Sequence, residues 1–196
     1  MPGTIERREL VTAVLAGRGS AAVIAGLGAP AWDITAAGDG PLNLPLWGGM
    51  GGAAMMGLGL ALAQPERRVL VITGDGEMLM GLGSLATIAV QRPANLAVLV
   101  LDNERYGETG MQETATAAGV DLIGIARAAG FGRTMSIAGT GEAPGLWEAL
   151  DAGGPVFALA KVADAAAPLV LPPREGAYLQ ARFREALLGP ASFGQN

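Results

Sequence analysis

The chain has 196 residues, a length that fits one α/β domain, and it contains neither histidine nor cysteine. That composition excludes a Ser-His-Asp triad, a cysteine nucleophile, a His/Cys zinc centre and a disulfide framework. Its 13 Lys and Arg against 18 Asp and Glu leave a net charge of −5. Lys161 is the only lysine, and no basic cluster exceeds the pairs Arg7-Arg8 and Arg67-Arg68. Neither a Walker-type phosphate loop nor a nucleic-acid surface is therefore expected.

In chain order, residues 5–15 carry the apolar spacing of a helix, with Ile5, Leu10, Val11, Val14 and Leu15 able to share one face. Residues 21–26 read as a short buried strand, followed by a Gly/Pro-rich passage to Trp47. A small-residue helix over 53–63 stops at Pro65. A β-branched strand over 68–73 ends in Gly74-Asp75-Gly76, and a mostly apolar helix is predicted over 78–91. The next strand, 96–101, runs into a polar loop over 102–120. Asp121 is the expected N-cap of a helix over 122–129. A strand over 133–137, a helix over 144–151 and a last strand over 156–162 complete the pattern. After Pro172-Pro173 an amphipathic helical tail is expected, which divides the chain into a main domain, 1–171, and a tail, 172–196.

Strands apolar on both faces and separated by helices predict a doubly wound α/β fold, a three-layer parallel sheet with helices on both faces. The uncharged stretch 40–65 is long enough to span a bilayer, but its glycines and prolines favour a buried loop entering a packed helix. The first ten residues lack the layout of a secretory signal, so a cytoplasmic protein is expected. Only 16% of residues are charged, where about 25% is usual. Cover by another subunit would explain that shortage, and so would a Gly/Ala-rich background.

In a parallel sheet, ligands sit at the carboxyl ends of the strands. Two polar strand ends meet that condition: Gly74-Asp75-Gly76, and Asp102-Asn103 running through Arg105, Tyr106 and Gly107. A carboxylate beside an anionic ligand makes sense when a cation lies between them. Mg²⁺ takes oxygen ligands and keeps substrate phosphates among them. Asp75, the Asn103 side chain and the Arg105 carbonyl would supply such oxygens. Either turn alone could be an ordinary one, since turns are rich in these residues.

Taken together, Gly74-Asp75-Gly76 and the later Asn103 resemble the signature of thiamine-diphosphate enzymes. Gly48-Gly49-Met50-Gly51 is similar to their pyrimidine-holding segment, and residues 81–89 and 101–112 resemble sulfopyruvate decarboxylase β subunits and phosphonopyruvate decarboxylases. The resemblance implies a diphosphate-binding domain that uses thiamine diphosphate and Mg²⁺. In it Asp75, Asn103 and Arg105 would hold the metal. Gly76, Glu77, Tyr106 and Gly107 would border the diphosphate, with Gly74 at the turn. Met50 would be the catalytic wedge that bends the cofactor, while Gly48 and the Met50 backbone hold its aminopyrimidine, with Gly49 between them. Met50 read without its Gly-x-Met-Gly setting is a core filler first, and the setting reverses that preference.

The reaction implied is non-oxidative decarboxylation of a 2-oxo acid to an aldehyde, with carboligation as the alternative. Glu108, Thr109 and Gln112 are the candidate substrate contacts, or else members of a solvated loop. Three positions depart from the family. Glu77 stands where Ser or Ala is common, Ala31-Trp32 where relatives often have Ser-Arg, and Glu113 where proline is frequent. No glutamate falls where the family's pyrimidine-activating carboxylate is required, and Glu6 and Glu9 lie on a helix expected to be peripheral. The resemblance thus implies a pyrimidine-binding α-type partner that supplies it, in an α2β2 assembly. Two rivals stay open: a nicotinamide-binding module, from Gly26-Leu27-Gly28-Ala29-Pro30-Ala31, and a non-catalytic subunit.

Overall fold

The computed structural model describes residues 5–165 and 167–190. Residues 1–4 and the end of the expected tail, 191–196, lie outside them. The chain opens with α1 (Arg7–Ala16) and β1 (Ala22–Ala25). The Gly/Pro-rich passage then holds two elements that local pattern did not predict, α2 (Ala29–Ala36), with Pro30 in its first turn, and the short strand β2 (Asn43–Pro45). Proline suits the first turn of a helix because its missing N–H would have no helical partner there.

Next come α3 (Ala53–Ala63) and β3 (Val69–Gly74). The single helix expected over 78–91 is two, α4 (Asp75–Met80) and α5 (Ser84–Gln91), divided at Gly81-Leu82-Gly83. Strand β4 (Leu96–Asp102) leads into a loop whose ends pair as a small antiparallel ribbon, β5 (Arg105–Tyr106) and β6 (Gln112–Glu113). The remainder is α6 (Leu122–Ala129), capped by the Asp121 side chain, β7 (Arg133–Ile137), α7 (Ala143–Asp151), β8 (Val156–Lys161) and α8 (Gly176–Leu188).

Six strands form one parallel sheet in the order β2-β1-β3-β4-β8-β7. Alternation along each central strand divides the core in two. Val23, Leu70, Ile72, Leu99 and Ala158 face α1, α2 and α7, while Ile24, Val71, Val98, Val100 and Phe157 face α3, α5 and α6. Every residue of β1 and β4 is buried. On the first face the Trp147 indole N–H of α7 donates to the Val14 carbonyl of α1 at 2.8 Å. On the second, Phe131 and Phe157 meet edge to face at 5.9 Å.

Helix α8 packs on β2 through Leu179 and Phe183, and Arg182 pairs with Asp39 at 2.6 Å. Among the described residues no helix is long and apolar enough to cross a membrane.

Candidate functional site

The sheet order sets β1 between β2 and β3, so the connections after β1 and β3 diverge and leave a crevice at their carboxyl ends. A cavity of about 810 Å³ opens there. Gly74, Asp75, Gly76 and Glu77 line it from the end of β3; Asn103, Arg105, Tyr106 and Gly107 line it from the end of β4. Met50, Glu108 and Thr109 also reach its wall. Of the other residues singled out in the sequence, Gly48 and Gly49 lie on the exposed turn before Met50, outside the lining. Gln112 is exposed and also outside it; its side chain binds Thr109 at 2.9 Å through both hydroxyl and carbonyl.

Asp75 begins α4 and is 1% exposed. Its Oδ2 accepts hydrogen bonds from the Thr114 hydroxyl at 2.5 Å and the Thr116 hydroxyl at 3.1 Å. Burial pushes the Asp75 carboxyl above its ordinary pKa. The Thr114 hydrogen bond opposes that shift, and the neighbouring Asp102 charge adds to it. The Thr116 hydroxyl lies closer still to Asp102 Oδ1, at 2.8 Å, so its single proton is shared between the two carboxylates. The other Asp102 oxygen meets Lys161 at 2.8 Å, and Lys161 in turn meets Glu104 at 2.6 Å. Burial works against the Lys161 charge, but its hydrogen bonds to both carboxylates outweigh that and raise its pKa.

This network of Asp102, Glu104, Thr114, Thr116 and Lys161 escaped sequence reasoning. The Thr-x-Thr spacing and a sole lysine closing an apolar strand were its only local signals.

The donors suit a hard divalent cation. Asp75, Asn103 and the Arg105 carbonyl offer only oxygen, and all three residues line one cavity. Around them three carboxylates (Asp75, Asp102 and Glu104) face one ammonium, an imbalance that a cation would relieve. Asn103 Oδ1 already accepts the Arg105 N–H at 3.1 Å, which fixes the amide while leaving its oxygen a second lone pair. Among the described residues no group of three His, Cys, Asp or Glu could hold a metal alone, so such an ion would need ligand oxygens as well. At Gly76 a side chain would collide with the Tyr106 ring, 2.5 Å from a built Cβ, so only glycine lets β5 close over α4.

Glu77 settles differently from a diphosphate-facing acid. Its carboxylate leaves the β3 turn, accepts the Thr73 hydroxyl at 2.9 Å and lies where any Cβ on Gly26 would fall, 1.7 Å away. Burial raises its pKa. Thr73 and the nearby backbone N–H groups of Ala53, Gly51 and Leu27 offset part of that, although Oε1 has no hydrogen bond of good geometry. Glu108 lies over Gly28, 2.9 Å from a built Cβ. Two carboxylates therefore occupy the approach to the glycines that imitate a dinucleotide motif, where a pyrophosphate would be repelled.

The expectation of a peripheral first helix needs correction. Helix α1 starts at the ligand edge, because Ile5 bridges to Val162 just beyond β8, and Arg7 lines the cavity. Arg7 and Arg8 both pair with Asp33 of α2, which is wholly buried; the Arg8 contact is 3.0 Å.

Fold and crevice together define a cofactor-binding α/β domain, and the comparisons with known proteins identify which. The family described as thiamine pyrophosphate enzyme, C-terminal TPP binding domain, matches residues 28–159, and the chain belongs to it. The β subunit of sulfopyruvate decarboxylase from Methanothermobacter thermautotrophicus is 41% identical over 154 residues, covering 79% of this chain and 78% of that one. Phosphonopyruvate decarboxylase from Streptomyces hygroscopicus is 44% identical over 112 residues, 57% of this chain but only 27% of that protein. A solved structure from Mycobacterium smegmatis, assigned to the thiamin diphosphate-dependent enzymes, shares the fold. Its TM-score is 0.71 at 22% identity, over 84% of this chain and 33% of that chain.

Because burial holds Glu77 above the ordinary carboxylate range, the folded protein binds its proton more tightly than the unfolded chain. Stability therefore falls as pH rises from that ordinary range through the raised value. Glu77→Gln removes the buried charge. Its melting temperature should differ least from wild type at acid pH, with the balance shifting in the variant's favour as pH rises. Thermal scans across pH check this, and a pH-independent difference would contradict it.

Proposed function

We propose that this chain is the diphosphate-binding subunit of a split thiamine-diphosphate-dependent 2-oxo acid decarboxylase, which releases CO₂ and an aldehyde. The observation that carries this reading is the convergence of Asp75, Asn103 and Arg105 on one crevice, from two adjacent parallel strands. The names of the similar β subunits support the partner and the 2-oxo acid substrate.

In this reading Asp75, the Asn103 amide oxygen and the Arg105 carbonyl hold Mg²⁺. Thr114 and Thr116 keep the Asp75 carboxylate in place. Backbone N–H groups of Gly76, Glu77, Tyr106 and Gly107 border the diphosphate, and Met50 packs against the cofactor with Gly48 at its pyrimidine. When bound, thiamine diphosphate supplies a carbon nucleophile and a sink for the electron pair left by CO₂. The apolar walls from Leu27, Leu79 and Leu101 exclude water from the reacting carboxylate. Glu108 and Thr109 lie on the substrate side, and Gln112 holds the Thr109 hydroxyl. With no histidine in the chain, the proton that completes the aldehyde comes from a carboxyl, Tyr106, water or the partner.

The acids on the cavity wall each have another place. Asp75 belongs to the metal, Glu77 is buried against Gly26, Glu108 covers Gly28 and Asp164 is exposed. The carboxylate that activates the pyrimidine therefore comes from an α-type subunit facing this sheet edge, in an α2β2 assembly. The sparse surface charge and the exposed Met55, Met56 and Leu62 of α3 are in keeping with a large covered face.

Asp75→Ala should abolish Mg²⁺-dependent cofactor binding, and Asn103→Ala should weaken it severely. Thr116→Val, which removes no metal ligand but takes away a hydrogen bond to Asp75, should cost roughly 10–100-fold in metal affinity. Calorimetric titration of the assembled protein checks all three, and wild-type affinity in both ligand variants would refute the site.

Met50→Ala should lower turnover more than cofactor affinity, because the metal and diphosphate provide the anchorage. A loss of binding with turnover intact would make Met50 a packing residue.

The purified chain alone, with Mg²⁺ and thiamine diphosphate, should decarboxylate no 2-oxo acid, and activity should appear on adding the α-type subunit. Activity of the isolated chain that survives removal of trace partner would overturn the split-enzyme reading.

A further inference from the structure

Helix α3 begins without a cap of its own. Gly52 stands at its N-cap and offers no side-chain acceptor, and the first helical N–H, that of Ala53, has no backbone acceptor among the described residues. The N–H groups of Gly51 and Leu27 have none either. All three lie toward one group, the buried Glu77 carboxyl of α4, whose Oε2 also accepts the Thr73 hydroxyl at 2.9 Å. Their pull is electrostatic, since no hydrogen bond of good geometry reaches Oε1. Gly26 leaves the space in which the carboxyl sits. One side chain thus gathers the end of β1, the end of β3 and the start of α3.

Met50 belongs to the turn that these contacts border. Gly49 and Gly51 on either side of it have φ of +71° and +89°, and the Gly52 N–H returns to the Gly49 carbonyl at 2.9 Å. Helix α4 backs the turn a second time, because the Gly51 carbonyl lies where a Cβ on Gly81 would fall. The turn therefore rests on both ends of one short helix, with Glu77 in its first turn and Gly81 just past its last. That same helix opens with Asp75.

We propose that the Glu77 side chain is a positioning residue: it holds the Met50 turn on α4 and so fixes Met50 relative to the Asp75 turn. This rests on the reading above, in which Met50 packs against the cofactor and Asp75 holds its metal. A cofactor gripped at two places keeps both grips when one of them shifts, but its reacting atoms lose their alignment. A misplacement of about 1 Å can cost on the order of 100-fold in rate. The backbone and side chain of Glu77 then serve opposite directions: the N–H borders the diphosphate, and the carboxyl reaches back to the turn that carries Met50.

The test pairs Glu77→Met, which keeps the length of the side chain and removes both acceptor oxygens, with Glu77→Gln, which keeps one. Amide hydrogen exchange of the full chain, without cofactor or partner, reads the turn directly. The Gly52 and Met56 amides, whose acceptors are the Gly49 and Gly52 carbonyls, should exchange about tenfold or more faster in Glu77→Met, with Glu77→Gln between it and wild type and the amides of α7 unchanged. Should Glu77→Met fail to fold, Glu77→Gln alone should still speed both amides. In the assembled enzyme Glu77→Met should lower kcat about tenfold or more while thiamine diphosphate affinity falls less. In a Met50→Ala background the same substitution should cost less than about twofold in kcat, because no wedge is left to place.

Wild-type exchange at Gly52 and Met56 in the folded variants, or kcat losses that multiply in the double variant, would overturn the inference. A wild-type assembly that decarboxylates no 2-oxo acid, with faster exchange in the Glu77 variants, would overturn the decarboxylase reading and leave the tether of the turn standing.

Discussion

A carboxylate buried at the end of an apolar parallel strand is the constraint that organises this molecule. Asp75 follows a strand whose side chains are almost wholly removed from water, so its charge must be met by designed contacts or lost. Two threonine hydroxyls from the loop after the β5–β6 ribbon meet one of its oxygens. One of those hydroxyls passes the contact to Asp102, and Lys161 closes the chain from β8. Three adjacent strands are therefore linked by a single line of charge, although no two of the residues involved are neighbours in sequence. The loop over 102–120 is consequently a structural member of the site: it supplies the hydroxyls that make a buried carboxylate tolerable.

The parts of this arrangement visible in sequence are those written locally. Apolar runs separated by helical spacing gave the layers, and Gly-Asp-Gly and Asp-Asn fell where a parallel sheet displays its ligand edge. Helix α2 and strand β2 were hidden because Gly and Pro read as loop, while their existence depends on packing of Ala31 and Ile34 against the sheet and of α8 against the edge. The break between α4 and α5 needed only Gly81 and Gly83 to be weighed as a pair. Thr114, Thr116, Lys161 and the Arg7–Asp33 pair were illegible for a different reason. Each is an ordinary residue whose role arises from partners dozens of positions away, and no period or motif encodes that.

Glu77 and Arg7 make the same point about family patterns. A small residue is common at the first position, yet a glutamate is accommodated because Gly26 vacates the volume and Thr73 donates to it. The resemblance led one to expect Ser-Arg where Ala31-Trp32 of α2 stands, yet the arginine that lines the cavity, Arg7, comes from α1 and pairs with Asp33 of α2. Each departure is settled by residues of other elements, which a position read alone does not show.

The position of α8 carries a consequence of another kind. β2 is an outermost strand, and such a strand offers unpaired N–H and C=O groups to any other chain that can extend the sheet. Here that border is short, Arg182 reaches the Asn43 carbonyl at 3.4 Å, and the Trp47 indole fastens the segment ahead of α8 by donating to Pro173 at 2.7 Å. Helix α8 and its lead-in thus tie down one border of the sheet, which leaves fewer free backbone groups there for another strand to pair with.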